Sequence, residues 1–248
     1  MRHHSGFTIV ELLVSVAIIV VLIAVLLPAL GMGITTARGF RCQMNLRSIA
    51  FDFAVFADEG LHGDRGEDAG SPNFSLETFV ESQYCVSEFW CWGAGDVAER
   101  ATEGDVMRCS EVTGPLTMRR NLSCQDGAVS PTKHVSYTFN MRLWKAEVEL
   151  NGVPRVRPVR LNGSILQQGR VPLVWDIDAE AASLAGTPPH FSAPSLDSAG
   201  PFAGDAFWYP STRHGGRGNY ALIDGSVHTS RDPLNERWNW SYQPLPRR

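Results

Sequence analysis

Glu11 stands at the head of an uncharged apolar block covering residues 12–34. A carboxylate placed where hydrocarbon would begin is costly, and an ionisable group in such a position marks a functional site by default. It also falls in the first turn of any helix that starts near Phe7, where the positive helix end favours negative charge. The chemistry such a group offers is charge pairing in a low-dielectric setting.

A second candidate pair lies near the other end, where His214 is followed after nine residues by Asp224-Gly225. A His–Asp pair needs a nucleophile or a metal before it can do acyl or hydrolytic chemistry. No G-x-S-x-G or H-E-x-x-H stretch supplies one. The bland reading is therefore preferred: Asp224-Gly225 forms a turn, and His214 anchors the Gly215-Gly216 bend by hydrogen bonds to nearby backbone. Asp176, Asp178, Asp197 and Asp224 could offer oxygens to calcium, but no spaced ligand loop is readable. No catalytic residue and no resident cofactor or metal is expected, with calcium the one ion worth testing.

Five cysteines (Cys42, Cys85, Cys91, Cys109 and Cys124) suit an oxidising compartment. They contain no C-x2-C pair, and their spacing matches neither a zinc finger nor a zinc ribbon. Two bridges would leave one cysteine over, and several pairings remain open. Trp90, Trp92, Trp238 and Trp240 form two W-x-W pairs. Such clusters can be carbohydrate platforms, but filling the core of a loop-rich domain is the preferred reading.

The elements that must position these residues follow from periodicity. A bilayer core takes about 20 apolar helical residues, and residues 12–34 suffice. The helix should continue beyond them, since residues 35–57 lack proline. Cys42, Leu46, Ile49, Phe53 and Phe56 recur at spacings of four and three, which makes an apolar stripe on one helix face. Arg38, Arg41, Asn45, Ser48 and Asp52 mark the polar side. A helix over residues 7–58 would be about 75–80 Å long, and Pro28 should kink or loosen it.

Residues 60–72 read as a surface loop, and residues 74–82 as a short helix capped by Ser75. Strands are predicted over 135–139 and 171–177, with Pro172 indicating an edge strand or a strand start. Residues 187–204 read as an irregular surface excursion. Residues 219–229 read as a hairpin whose turn places Asp224 and Gly225 at positive φ. A long helix followed by short strands points to an α+β fold. A net charge of −4 and a pI near 6.0 give no general attraction to nucleic acid.

The order of a short leader ending in Gly6, then Phe7, Thr8 and Glu11, then an apolar run broken at Pro28, resembles the class III signal of type IV pilins and type II secretion pseudopilins. An ordinary secretory signal has a shorter apolar core, of about 7–15 residues, and a small-x-small cleavage site. The resemblance implies cleavage between Gly6 and Phe7 by a prepilin peptidase, with methylation of the new amino terminus. It also implies an assembly role for Glu11 and a pilin-like fold, with a long transmembrane helix packed on a C-terminal antiparallel sheet domain. Arg2 on one side and Arg38 and Arg41 on the other leave orientation undecided by charge. Single-pass placement in the inner membrane, with the globular domain in the periplasm or on the cell surface, rests on the resemblance.

Other segments are similar to a planctomycete-type prepilin-like family. They are Arg41-Cys42 through Asn45-Leu46-Arg47, Arg108-Cys109-Ser110, Ser136-Tyr137 through Asn140, and the His214-x9-Asp224-Gly225 signature. On that resemblance Cys42 and Cys109 are expected to be linked or in contact, with Cys85–Cys91 or Cys109–Cys124 as the competing pairings. The expected organisation is a leader over 1–6, a helix over 7–58 crossing the membrane at about 12–34, and a globular domain over 59–248. The implied function is a structural subunit, not an enzyme, assembled with other pilin or pseudopilin subunits into a type IV pilus or a type II protein-secretion pseudopilus. The competing reading is a membrane-anchored periplasmic carbohydrate-binding protein that never polymerises.

Overall fold

A computed structural model describes residues 8–58, 71–84, 97–100, 105–112, 114, 116–119, 129–130 and 134–244. Helix α1 (Ile9–Ala57) is continuous through Pro28. The chain divides into two compact units, residues 1–40 and 41–248. The described part of the first unit is helical from Ile9 on, and its apolar side chains are exposed. The helix is long and apolar enough to cross a membrane. A helix with apolar side chains all round needs lipid or protein to cover it.

The second unit begins within α1. In chain order it contains β1 (Asn73–Phe74), α2 (Leu76–Tyr84), β2 (Val97–Arg100), β3 (Leu116–Arg119), β4 (Val129–Ser130) and β5 (Tyr137–Asn140). There follow β6 (Lys145–Leu150), β7 (Val153–Pro158), β8 (Leu161–Asn162), β9 (Pro172–Asp176), α3 (Ala179–Leu184), β10 (Phe191–Ser192), β11 (Gly218–Leu222) and β12 (Val227–Ser230). The main sheet has the order β10-β5-β9-β11-β12. Its β10–β5 pair is parallel and the other pairs are antiparallel. The architecture is α+β, with one parallel pair in a sheet expected to be wholly antiparallel.

The helical stripe drives the packing. Cys42, Leu46, Ile49 and Phe53 are fully buried, and Phe56 nearly so. They share a core with Tyr137, Phe139, Leu173 and Ala221 from the sheet. Phe53 and Phe56 meet Phe74 and Phe79 edge to face, with ring centroids 5.2–6.0 Å apart. Each such pair contributes about 1 kcal/mol beyond its buried area. The Ser75 hydroxyl accepts from the Thr78 amide at 2.9 Å, so Ser75 caps α2.

A second cluster lies around Trp175 and Tyr220, which are cross-strand partners on β9 and β11. Trp240 is buried against both and Trp238 packs on the cluster, while Trp90 and Trp92 lie outside the described residues. The Trp240 indole nitrogen donates to the Pro233 carbonyl at 2.8 Å, which satisfies the polar atom that burial would otherwise leave bare.

Two expectations change, and one is narrowed. Of the two readings of Pro172, the strand start holds and the edge does not: Pro172 is the first residue of β9, which is the central strand, and costs the ladder little there. Residues 187–204 are not a surface excursion throughout: Pro189 to Pro194 are buried, and β10 in their midst pairs with β5. The β11–β12 hairpin has a three-residue loop. The Leu222 carbonyl accepts from the Gly225 amide at 3.0 Å, and the Leu222 amide donates to the Ser226 carbonyl at 2.9 Å. Only Gly225 has positive φ, at 80°, so Asp224 needs no left-handed backbone. This is the turn-plus-bulge alternative to the two-residue hairpin.

Candidate functional site

At the start of α1, Thr8 and Glu11 form a reciprocal pair. The Glu11 amide donates to the Thr8 hydroxyl at 3.2 Å, and the Thr8 amide donates to Glu11 Oε2 at 2.8 Å. The Thr8 hydroxyl also donates to that oxygen at 2.8 Å. This is a capping box, which satisfies two amides that a helix start leaves without partners. The T-x-x-E spacing before an apolar run could have been read from the sequence, where only the charge of Glu11 was considered. Gly6 and Phe7 lie outside the described residues.

The second grouping is buried in the globular unit. A disulfide joins Cys42 on α1 to Cys109, with Cα atoms 5.1 Å apart. The helix presents Cys42 because it lies on the apolar stripe. Cys109 sits in a turn fastened to α1 by Asn45, whose side-chain amide donates to the Arg108 carbonyl at 2.8 Å. Arg108 donates in turn to the carbonyls of His134, at 2.7 Å, and Gly114.

His214 reaches this bridge from the loop before β11. Its Nε2 lies 3.7 Å from Cys109 Sγ and 3.2 Å from Asp176 Oδ2, and its Nδ1 lies 3.2 Å from Glu111 Oε1. Asp176 ends β9, is fully buried, and accepts from the Asn219 amide at 2.7 Å. Burial disfavours the charged imidazole, but the Asp176 and Glu111 carboxylates outweigh it and hold the His214 pKa above its ordinary value.

The bend itself is held by backbone. The Gly215 amide donates to Arg213, the Gly216 amide to Thr212 and the His214 amide to Arg217. His214 was expected to anchor this bend through its side chain, but the ring points to the acids and the bridge instead. Gly218 is needed where β11 begins, because a Cβ there would sit 2.5 Å from the Ser211 carbonyl oxygen.

Asp224 is apart from this group. It is exposed, and its Oδ1 accepts from the Ser226 amide and hydroxyl at 2.9 and 2.6 Å. His214 and Asp224 are thus not a pair. The other proposed calcium ligands are dispersed too: Asp178 caps α3 by accepting from the Ala181 amide at 3.0 Å, and Asp197 is exposed. Cys85, Cys91 and Cys124 lie outside the described residues. Sequence reasoning missed Glu111 and the pairing of His214 with Asp176, because no local spacing links these segments.

Residues 1–27 match the family model described as the prokaryotic N-terminal methylation motif. The match covers Gly6, Phe7, Glu11 and the first part of the apolar helix, and supports a prepilin-type N-terminus of a type IV pilin-like protein. It does not reach the His214-to-Gly225 signature. No curated protein and no solved structure matches the chain.

Proposed function

We propose that this chain is a prepilin-like structural subunit, cut between Gly6 and Phe7 and assembled through α1 into a pilus or pseudopilus. The observation that carries the reading is the methylation motif over residues 1–27, running without a break into a membrane-length apolar helix. The prepilin peptidase is then its processing partner, the inner membrane its holding site and other pilin or pseudopilin subunits its assembly partners. The globular domain faces the periplasm or the cell surface.

The capping box refines the role of Glu11. Its carboxylate already accepts hydrogen bonds from Thr8 within the same chain, so a lone subunit does not leave it bare. A positive amino terminus at Phe7 of a neighbour then adds a charge partner. Such a pair in a low-dielectric bundle contributes little net stability, but a slipped register breaks it at a cost of about 3–5 kcal/mol. Within the second unit the exposed side of α1 keeps Met44 and Phe51 at 58% and 66% exposure. A spacing of seven puts them on one helix face, suited to a neighbouring helix. The carbohydrate-binding alternative loses ground because Trp240 is buried in the Trp175–Tyr220 cluster and Trp238 packs, partly buried, against it.

Intact-mass and N-terminal analysis of membrane fractions tests the processing step. The expected result is a chain starting at N-methylated Phe7; a start at Met1 or near Ala29 would sink the reading. Glu11→Ala should keep cleavage and insertion but strongly reduce incorporation into sheared surface filaments. Normal assembly of that variant would refute the register argument.

A further inference from the structure

A bridge that only staples a helix to a sheet needs neither an imidazole nor a buried acid beside it. The Cys42–Cys109 bridge has both. One ligand atom each from Cys42, Cys109 and His214 lie within 4.8 Å of one another. Asp176 Oδ2 is 3.2 Å from the same imidazole nitrogen, and Asp176 Oδ1 is buried with no hydrogen-bond partner among the described residues. On the far side of the ring, Glu111 sits 3.2 Å from Nδ1. A buried acceptor without a partner costs stability unless something occupies it.

Cys42, Cys109 and His214 have the spacing of a ligand set. Two thiolates and one imidazole suit a zinc-type cation, which takes four ligands in tetrahedral geometry. Metal-bound histidines are characteristically held by a carboxylate at their other nitrogen, which fixes tautomer and ring orientation. Glu111 Oε1 lies 3.2 Å from Nδ1, within reach of that role, though Nδ1 makes no aligned hydrogen bond among the described residues. Glu111 also lines an open pocket of 460 Å³ with Thr212 and Arg213.

We propose that reduction of the Cys42–Cys109 disulfide turns this cluster into a site for a zinc-type divalent cation, bound by Cys42, Cys109 and His214 with Asp176 completing the set. A dithiol reductant supplies two electrons and two protons: the protein S–S bond breaks, two protein thiols form, and the reductant closes its own disulfide. The cation then displaces both thiol protons to solvent and binds the thiolates. The imidazole binds through an unprotonated Nε2, with its remaining proton on Nδ1 towards Glu111. In the oxidised form the sulfurs are tied to each other and cannot serve as thiolate ligands. Metal loading and the disulfide therefore exclude one another, which makes the site redox-gated.

The test uses the full-length chain in detergent, carrying Cys85→Ser, Cys91→Ser and Cys124→Ser so that no other thiol competes. Cobalt(II) is the probe, titrated into the phosphine-reduced and the oxidised protein after chelator stripping. The expected result is a thiolate-to-cobalt charge-transfer band with tetrahedral d–d bands, saturating at a single equivalent, in the reduced form alone. Zinc should displace the cobalt. Glu111→Gln should weaken binding by about tenfold to a hundredfold, and His214→Cys should retain binding with a stronger charge-transfer band. Circular dichroism on the same samples reports whether each remains folded. A folded, reduced protein that shows no such bands overturns the proposal. So does cobalt binding of equal strength when Cys42→Ser and Cys109→Ser are added, or a disulfide that yields to reductant only as the protein unfolds.

Discussion

His190 offers a sharp test of the packing. It is 4% exposed, lies just before β10, and its Nδ1 has no hydrogen-bond partner among the described residues. Its backbone carbonyl accepts from the Phe139 amide at 2.8 Å, so the residue is held where β10 joins β5. Burial without an acidic partner pushes its pKa down from 6.5 to about 4. The unfolded chain then takes up a proton near pH 6.5 that the folded chain refuses until about pH 4. Stability must fall as pH drops through that window. At about 1.4 kcal/mol per pKa unit, the loss is about 3 kcal/mol. Urea denaturation of the soluble part of the protein at pH 7 and at pH 4.5, for wild type and His190→Leu, measures it. The variant should lose most of the extra acid sensitivity, since leucine has similar volume and nothing to titrate. His214 has the opposite sign and a different window. Its raised pKa gives stability that is complete below its unfolded value of 6.5 and lost as pH rises through its folded value. Equal acid sensitivity in wild type and His190→Leu would refute the reasoning, because no other change separates the two.

The disulfide closes a separation of 67 residues, so Cys42→Ala should cost about 4 kcal/mol of stability by the loop-entropy estimate, read as a shift in the denaturation midpoint; a shift near zero would mean that the unfolded chain is not constrained by this bridge. Asp224→Ala removes the acceptor for two hydrogen bonds in an exposed turn and should cost about 1 kcal/mol, with no effect on cobalt binding by the reduced protein, because Asp224 lies outside that cluster. Thr8→Val removes one arm of the capping box and should lower helix stability at the start of α1 by about 1 kcal/mol, seen as faster amide exchange at residues 9–12 in detergent; unchanged exchange would show that Glu11 needs no local partner.

Local chemistry carried a large share of this protein into its sequence. The apolar block, the T-x-x-E start and the stripe from Cys42 to Phe56 depend on neighbours a few residues away along one helix. Periodicity therefore exposes them before any fold is known. Ser75 as a cap and Asp224-Gly225 as a turn are legible for the same reason, even though the loop formed around Asp224 has one residue more than expected.

What the sequence left open was decided by contacts between distant segments. Cys42, Cys109, Glu111, Asp176 and His214 come from a helix, a turn, a strand end and a loop, and no spacing along the chain announces their meeting. Residues 187–204 look like a solvent-exposed excursion by composition, yet β5 needed a partner on its open edge and β10 supplied it. Asp176 reads in the sequence only as a possible calcium ligand, but it ends the central strand and is fully buried beside His214. Tertiary packing sets that outcome, because segments distant in sequence, among them those carrying His214 and Asn219, close over the end of the strand. A charge there then needs its partner supplied by tertiary structure.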